Sequence, residues 1–495
     1  MSADLLLVVE LETLGLRVQA LDRDLGTLAS AESEYSQHFP QAGWIEHQPE
    51  EIWQATQRAL MKVVDTVGAD RIRGLALANH CGDLLIWNRA TGKPIYPAIG
   101  GADRRSEPIV RVLRNNRREP MLHYRTGLFL DPTTCAAKIA WILDHVPEAR
   151  EQARAGELAF GSMDSWILWQ LTRGRLHATE PANASRTMLY DLNSHQWEPQ
   201  LLATFGIPAV LLPRIMPSRG FIGEIDPSVL GISVPVLAMN CGHQAGFFAL
   251  TAGDPAVGRV HYGKNLFLQQ SIGSESLIRG EILTTLAWRR DHHATYCLEA
   301  QLPGSGVVVQ WLKDALGLLT SYEECETLAA EVPDTAGVYL VPAFAGLAAP
   351  YFDPQARGTL LGLNFRTTRQ HIARAALEGV AQLLADNLQT LSKASPHAIQ
   401  RLRADGAGAG NNFLLQFQAD ITGLPIERPE HLDSGLVGIG LMAGISAGFW
   451  TEEEARHRFL TVGRVFQPHW SEEERRNHRE RWQEAVARSR EWARE

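Results

Sequence analysis

A short run of polar and nucleophilic residues, Asn240-Cys241-Gly242-His243-Gln244, stands near the middle of the 495-residue chain. It follows an apolar stretch, residues 234–239, that predicts a buried strand. At such a strand end a histidine is either a general base, because imidazole titrates near neutral pH, or a residue that hydrogen bonds hold in place. His243 is therefore a weak candidate for a base, and the sequence leaves both interpretations open.

Composition and charge argue against several classes of protein. The net charge of −9 is spread along the chain without a long basic run, which argues against a nucleic-acid partner. The apolar run at residues 5–9 is too short to span a membrane, and it predicts a buried strand. Five cysteines, without a Cys-x-x-Cys motif, favour a reducing compartment over a disulfide framework. We therefore expect a cytoplasmic protein without a membrane partner.

Strands and helices alternate along the chain, which predicts an α/β fold. Residues 4–10 and 16–21 form a predicted hairpin, and residues 50–67 show the period of a helix. After residue 240 the pattern restarts with a second strand–turn–strand at 257–269. The restart predicts two halves, residues 1–247 and 248–495, that share a cleft.

Several motifs occur in an order that is typical of a known family. The motifs are Gln37-His38-Phe39-Pro40-Gln41-Ala42-Gly43-Trp44-Ile45-Glu46-His47, Gly92-Lys93-Pro94-Ile95-Tyr96, Asp103-Arg104-Arg105, Asn183-Ala184-Ser185-Arg186-Thr187-Met188-Leu189, Pro342-Ala343-Phe344, Ala349-Pro350-Tyr351, Arg357-Gly358 and residues 413–420. With these motifs the chain resembles the FGGY carbohydrate kinases and, within them, the glycerol kinases. This resemblance implies two actin-like, ribonuclease H-like domains around a cleft for ATP, Mg²⁺ and a small polyol or sugar, and it implies a homo-oligomer.

The resemblance assigns the nucleotide and metal contacts to specific positions. Glu10 stands where the family places the Asp that holds Mg²⁺, and a carboxylate there still suits a hard cation. The chain departs from the family at Glu12, a glycine in the family, and at Leu14, a hydroxyl residue. A carboxylate ~4 Å from a phosphate charge costs about 4 kcal/mol near the surface. The remaining implied nucleotide contacts are Thr13, Arg17, Lys264, Gly306, Gln310, Ala407 and Asn411.

Two interpretations of the phosphate loops remain open. Lys264 replaces a threonine of the family's second phosphate loop and could bind phosphate as a point charge. We hypothesise instead that Glu12 and Lys264 pair across the cleft where phosphates would lie. The alternative is that Lys264 points into solvent.

The polyol side departs further from the family. Its Gln-Arg-Glu clamp is replaced by His80-Cys81-Gly82, which removes the charged pair that would orient a hydroxyl. The catalytic Asp position is Gly242. Two aromatic positions of the wall are Gly101 and Thr133, whereas Asp103 and Phe267 are retained.

Cysteines and histidines gather on or beside these implied pocket positions. Thiolate and imidazole are ligands that zinc prefers, so a metal site is one interpretation. No pair has the sequence spacing of a zinc motif, and cysteine is also a common small core residue, which is the alternative. The residues concerned are His80, Cys81, Cys135, Cys241 and His243.

Two classes of function follow from these substitutions. The first, which the sequence favours, is a glycerol-kinase-like pseudoenzyme that binds a nucleotide or a partner. The second is an active ATP-dependent kinase for a hydroxylated substrate other than glycerol. A filled cleft would favour the first class, and a reachable carboxylate or imidazole would favour the second.

Overall fold

The computed structural model describes residues 4–302, 304–458 and 460–493. In the first part of the chain the strands are β1 (Leu5–Leu11), β2 (Gly15–Leu21), β3 (Thr27–Glu34), β4 (Gln37–His38), β5 (Glu46–His47), β6 (Ile72–Asn79), β7 (Leu84–Asn88), β8 (Ala98–Ile99), β9 (Leu158–Ser162), β10 (Ala178–Thr179), β11 (Tyr190–Asp191), β12 (Gln196–Trp197), β13 (Arg214–Ile215), β14 (Arg219–Glu224) and β15 (Pro235–Cys241). The helices are α1 (Pro49–Val67), α2 (Glu107–Asn115), α3 (Glu119–Thr126), α4 (Cys135–His145), α5 (Ala149–Arg154), α6 (Met163–Leu171), α7 (Pro181–Ser185), α8 (Pro199–Phe205), α9 (Pro227–Leu230) and α10 (Gly242–Thr251).

The second part repeats the alternation. Its strands are β16 (Val257–Tyr262), β17 (Leu266–Gly273), β18 (Leu283–Arg290), β19 (His293–Leu302), β20 (Tyr339–Val341), β21 (Thr359–Leu361), β22 (Arg401–Asp405), β23 (Ile426–Pro429) and β24 (Val462–Phe466). Its helices are α11 (Val308–Asp314), α12 (Glu324–Ala330), α13 (Arg369–Ala394), α14 (Asn412–Thr422), α15 (Ser434–Ala447), α16 (Glu452–Arg458) and α17 (Glu472–Ser489). Single 3₁₀ turns occur at Ala69–Arg71, Ala209–Leu211, Ser305–Val307 and Ala407–Gly410.

The two large sheets share the arrangement of their central strands but differ at their edges. The first has the order β14-β15-β6-β1-β2-β3, in which β15, β6 and β1 are parallel and the remaining neighbours are antiparallel. The second has the order β18-β19-β17-β16-β22-β23-β24, with β16, β22 and β23 parallel. Each sheet thus begins with a hairpin and continues through two parallel strands. The predicted two-domain α/β fold is confirmed.

Burial explains why β1 forms the centre of the first sheet. All seven of its residues are buried, and alternate side chains enter different hydrophobic clusters. Leu7 and Val9 face the cluster that contains α1, whereas Leu6 and Val8 face the cluster that contains α10 and α15. A strand covered by helices on both faces is apolar at every position, as this one is up to Glu10.

The boundary predicted at residue 247 stays a prediction. Residue 247 lies inside α10, and the late helix α15 packs against α10 and against β6 and β15 of the first sheet. None of the described helices is long and apolar enough to cross a membrane.

The buried imidazole of His177 should make folding sensitive to acid. Its Nε2–H donates to the Phe160 carbonyl at 2.7 Å, and burial lowers its pKa to about 4. Because the folded state holds the neutral ring, this stabilisation is complete above the unfolded pKa of about 6.5 and is lost as pH falls from there toward 4. At about 1.4 kcal/mol per pKa unit, we expect a loss of about 3 kcal/mol in the free energy of unfolding.

The measurement compares wild type with His177→Gln, whose amide can still donate to Phe160. Unfolding by denaturant is followed at neutral pH and near pH ~4. The wild type should lose about 3 kcal/mol more than the variant over this interval. Equal losses would mean that the fold does not lower the pKa of His177.

Candidate functional site

Two adjacent parallel strands bring the central residues of the site together. In the pairing of β6 with β15, Asn79 lies opposite Cys241 at the carboxyl ends of both strands. The chain after β6 therefore passes directly beside the start of α10. Cys81 and Cys241 lie with their Cα atoms 5.9 Å apart, and their sulfurs form a disulfide. The sequence analysis did not predict this disulfide. The two cysteines are separated by 160 positions, and only the folded chain brings them together.

The position of the expected base carries no side chain. Gly242 is the first residue of α10, and a Cβ placed there would lie 3.8 Å from Glu10 Oε1. The nearest carboxylate to this position is thus that of Glu10. Gly242 itself therefore offers only backbone atoms, and no side chain, at the position of the expected base.

His243 is held by a contact on one face of its ring and by contacts at both ring nitrogens. Its ring stacks on Phe267 with the centroids 5.2 Å apart, and Arg186 donates from Nη2 to His243 Nε2 at 2.7 Å. Burial, followed by the Arg186 charge, lowers the pKa of His243 well below its usual value. Because arginine has only donors, Nε2 must accept, and the ring hydrogen is on Nδ1, 3.9 Å from Cys81 Sγ. A neutral ring whose free lone pair is already used is poorly placed to accept a substrate proton.

A buried ion pair lies directly behind His243. Arg186, just after α7, contacts Glu299 of β19 at 2.5 Å, so the pair joins the two halves of the chain. Burial alone would raise the pKa of Glu299, but the surrounding charges and hydrogen bonds, of which the Arg186 charge is the strongest, together outweigh it and lower the pKa to about 2. Gln244 and Gln269 also donate to this carboxylate, at 3.4 and 3.1 Å. These polar side chains lie buried together behind His243 and contact one another.

The loops of the implied polyol wall meet backbone to backbone. Gly82 has φ +103°, in the region that favours glycine, and a Cβ there would lie 3.1 Å from the Gly101 Cα. A Cβ on Gly101 would meet the Cys81 carbonyl at 3.2 Å. The buried ammonium of Lys138 donates to the carbonyls of Gly82, Gly100 and Gly101, at 3.2, 2.8 and 2.8 Å. The space that a large clamp side chain would need is taken up by this contact.

Asp103 and Thr133 bond to other partners, whereas His80 lies beside the Gly101 loop, with its Cε1 3.2 Å from the place of a Gly101 Cβ. Asp103 is fully buried, and its carboxylate accepts from Arg105 and from the Ile45 backbone. Thr133 donates to Asp131 Oδ1 at 2.7 Å, and His80 lies 3.8 Å from Asp83. Neither Asp103 nor Thr133 bonds to His243 or Cys81 in the part of the chain that the structure describes.

Part of the predicted cysteine–histidine cluster does assemble. Ligand atoms of Cys81, Cys241 and His243 lie within 4.8 Å of one another. His80 and Cys135 do not join this group among the described residues. Cys135 is buried on α4 with its sulfur 3.9 Å from the Gly82 carbonyl.

The phosphate side is dominated by carboxylates. Arg17 contacts Glu10 at 2.6 Å and also pairs with Asp433. Burial, followed by the Asp433 charge, raises the pKa of Glu10 to about 7 in spite of the ion pair with Arg17. Both carboxylates are bound through Nη2 of Arg17, and its Nε has no hydrogen-bond partner among the described residues, so the guanidinium keeps N–H donors outside these two ion pairs. Thr13 lies half-buried at the tip of the same hairpin.

The predicted pair of Glu12 with Lys264 does not form. Both side chains are exposed, and no ion pair joins them within the described ranges. Lys264 lies in the turn between β16 and β17, where its own carbonyl accepts from the Gly306 N–H at 3.2 Å. Each side chain is hydrated, so nothing compensates the entropy that the two would lose in a fixed pair. The alternative, a solvated lysine, fits the structure.

Glycines at the nucleotide end allow close backbone approach. A Cβ on Gly306 would lie 1.7 Å from the Gly263 carbonyl oxygen, and one on Gly406, with φ +84°, would lie 2.8 Å from the Tyr262 carbonyl. Asn411 caps α14 by accepting from the Leu414 N–H at 2.9 Å. These contacts pack the β16–β17 turn against the starts of the segments at 306 and 406, to which the resemblance assigns the nucleotide. Ala407 opens the 3₁₀ turn between β22 and α14, and Gln310 is exposed on the first turn of α11.

The sequence did not predict a role in the site for four charged residues: Lys138, Arg186, Glu299 and Asp433. Lys138 interrupts an otherwise apolar helix, which is the only local signal that it is buried. Arg186 belongs to a motif of the resemblance, but its partner Glu299 is 113 residues away. Such pairs depend on the tertiary fold, and no spacing in the sequence reveals them.

Comparisons with known proteins agree with this architecture. The FGGY family of carbohydrate kinases matches with its N-terminal domain at residues 5–250 and with its C-terminal domain at residues 280–447. A glycerol kinase of Carboxydothermus hydrogenoformans is 39% identical, and one of Alkalilimnicola ehrlichii is 41% identical, each over 99% of both chains. The structure of Plasmodium falciparum glycerol kinase with ADP superimposes with a TM-score of 0.93 at 26% identity, covering 99% of this chain and 98% of that one. The chain belongs to the FGGY family of carbohydrate kinases, and it is glycerol-kinase-like within that family.

The contact of Gly82 with Gly101 can be tested against a matched glycine. Gly220, on β14, has φ +118°, but a Cβ placed there would have nothing within 4 Å. Alanine at either position should cost about 1–3 kcal/mol in backbone strain. Gly82→Ala should cost a further ~1–3 kcal/mol because its methyl group overpacks the loop.

Thermal unfolding of Gly82→Ala and Gly220→Ala supplies the measurement. The lower midpoint should belong to Gly82→Ala. Equal midpoints would show that the two loops have room to separate at no cost.

Proposed function

We propose that this protein binds an adenine nucleotide in a glycerol-kinase-like cleft and has lost efficient phosphoryl transfer to glycerol. The observation that carries the proposal is the backbone contact between Gly82 and Gly101, beside a base position occupied by Gly242. Together they remove the charged clamp, the space for it and the carboxylate that would accept the hydroxyl proton.

The magnitudes support loss of transfer rather than a mild reduction. General-base assistance is typically worth about 10²–10⁴-fold, and orientation of a substrate hydroxyl contributes separately. Phosphoryl transfer depends mostly on positioning and charge stabilisation, so loss of the base alone would leave residual activity. Here the positioning groups are absent as well.

The nucleotide end supports retained binding. The glycines at 306 and 406 keep the turns that the resemblance assigns to the nucleotide closely packed, and the similar Plasmodium falciparum structure contains ADP. Glu10 and Asp433 are the carboxylates that would hold Mg²⁺ with the nucleotide, since hard cations prefer oxygen ligands. Magnesium would supply charge neutralisation at the phosphates. Arg17, which pairs with both carboxylates through Nη2, would contact phosphate oxygen through its remaining N–H donors.

ADP release from MgATP, with and without glycerol, tests the proposal in wild type, Gly242→Asp and Gly242→Asn. The wild type should fall short of an active glycerol kinase by more than about 10⁴-fold, because clamp and base are both missing. Gly242→Asp should not restore turnover, because Gly82 and Cys81 still provide no clamp. The asparagine variant has the same size without the charge and controls for packing.

Calorimetric titration with MgADP separates binding from transfer. We expect saturable binding in all three proteins. Glycerol-dependent turnover in the wild type at the rate of an active kinase would overturn the loss of transfer. Absence of nucleotide binding would overturn the binding half of the proposal.

A second candidate function follows from the position of Glu10. Its Oε1 lies 3.8 Å from the place of a Gly242 Cβ, so its longer side chain reaches toward the missing carboxylate. In this alternative the protein is an active kinase for a hydroxylated substrate other than glycerol, and Glu10 takes the proton. A panel of polyols and sugars would then show turnover in wild type.

A comparison of the variants Glu10→Gln and Glu12→Gln distinguishes the two candidate functions. Glu12 is an exposed carboxylate two residues away on the same hairpin, so it matches the charge change. Turnover lost by about 10²-fold or more in Glu10→Gln and kept in Glu12→Gln would support the alternative. The same turnover in both variants would exclude Glu10 as the base.

A further inference from the structure

The cleft contains a pair of cysteines that the kinase reaction does not use. Cys81 follows β6, Cys241 ends β15, and their Cα separation of 5.9 Å is typical of a disulfide. We propose that Cys81 and Cys241 form a reversible, redox-sensitive cross-link across the cleft, with Cys81 as the thiol that reacts with the oxidant. The inference does not depend on whether the protein transfers phosphate.

Burial assigns different roles to the two thiols. Cys81 is half-buried, whereas Cys241 is completely buried at the end of its strand. A low-molecular-weight oxidant can therefore reach Cys81 but not Cys241. Cys241 is placed to attack the product formed on Cys81.

His243 favours the reactive thiolate form of Cys81. Because Arg186 occupies His243 Nε2, the hydrogen on Nδ1 points to the Cys81 side, where the sulfur lies 3.9 Å away. An N–H directed at sulfur favours the thiolate over the thiol, and the thiolate is the nucleophile. His243 is thus a positioning residue, held by its stack on Phe267 and by Arg186.

The chemistry balances with a small-molecule disulfide as the oxidant. The Cys81 thiolate attacks one sulfur of the oxidant, a mixed disulfide forms, and one small thiolate leaves. The Cys241 thiolate then attacks the Cys81 sulfur and releases the second small thiolate. Two protein thiols are oxidised, one small disulfide is reduced to two thiols, and the protons of the cysteines pass to the leaving thiolates.

The same geometry argues against a resident metal ion. Cys81, Cys241 and His243 are close enough to ligate one ion, but a metal on Nδ1 requires a lone pair there. That tautomer would place a hydrogen on Nε2 against Arg186, which can only donate. The thiol pair is therefore assigned to redox chemistry, and metal binding becomes an outcome of the test.

The other cysteines provide an internal control. Burial raises the pKa of Cys135 to about 11, and burial raises the pKa values of Cys297 and Cys325 to about 12. All three are buried free thiols without a cysteine partner among the described residues. They should stay reduced under conditions that oxidise the cleft pair.

The test equilibrates the full-length protein in buffers with increasing ratios of oxidised to reduced glutathione, followed by alkylation and peptide mass mapping. We expect one cross-linked peptide pair containing Cys81 and Cys241, which dithiothreitol converts back to thiols. When the quenched protein is unfolded in denaturant before alkylation, Cys135, Cys297 and Cys325 should be alkylated at every ratio. Absence of this cross-link at every ratio would overturn the proposal.

Variants separate the roles of the residues. Cys241→Ser should accumulate glutathione on Cys81, whereas Cys81→Ser should accumulate none on Cys241. His243→Gln should slow alkylation of Cys81 by about 10-fold or more, while Cys325→Ser leaves it unchanged. Elemental analysis of the reduced protein completes the test: one equivalent of zinc that Cys81→Ser removes would replace the redox assignment with a metal site.

Discussion

The parallel pairing of β6 with β15 is the constraint on which the site depends. It places Asn79 opposite Cys241 and so fixes where the chain leaves each strand. The side-chain amides of Asn79 and Asn183 then bond to each other at 2.9 and 3.0 Å, which ties α7 to the same edge. From this edge Arg186 reaches Glu299 in the second sheet. A shift of one residue in the register would turn every side chain of β15 to the opposite face and separate these groups.

Much of the fold was predictable because local patterns and the global topology agree. The hairpins at the start of each half and the helix of residues 50–67 appear close to their predicted bounds. Their signals are period and turn composition, which act over a few residues. The repeated sheet order follows from the same restart of the pattern. Segments whose local preference agrees with the tertiary structure can be predicted from a single sequence.

The site was less predictable because its interactions join distant residues. The resemblance identified Cys81 and Gly242 as departures, but it could not show that Cys81 meets Cys241 or that Gly82 meets Gly101. The pair of Glu12 with Lys264 rested on charge alone, and the structure leaves both side chains in water. Conversely, Arg186 and Glu299 form a pair that charge pattern did not reveal. Complementary charge is a poor guide without knowledge of which groups are desolvated together.

The contact between the loops of Gly82 and Gly101 also bears on how this chain could change over evolutionary time. A single substitution that returns a glutamate to position 82 would meet the backbone of Gly101, and it would have to adopt a φ of +103° that side chains rarely tolerate. A large side chain at position 101 would meet the Cys81 carbonyl in the same way. Lys138 adds a further barrier, since its ammonium depends on three carbonyls of these loops. Each single step toward a polyol clamp is therefore unfavourable until the others have been taken, so a pocket with that clamp, although only a few substitutions away in sequence, is separated from this one by less stable intermediates.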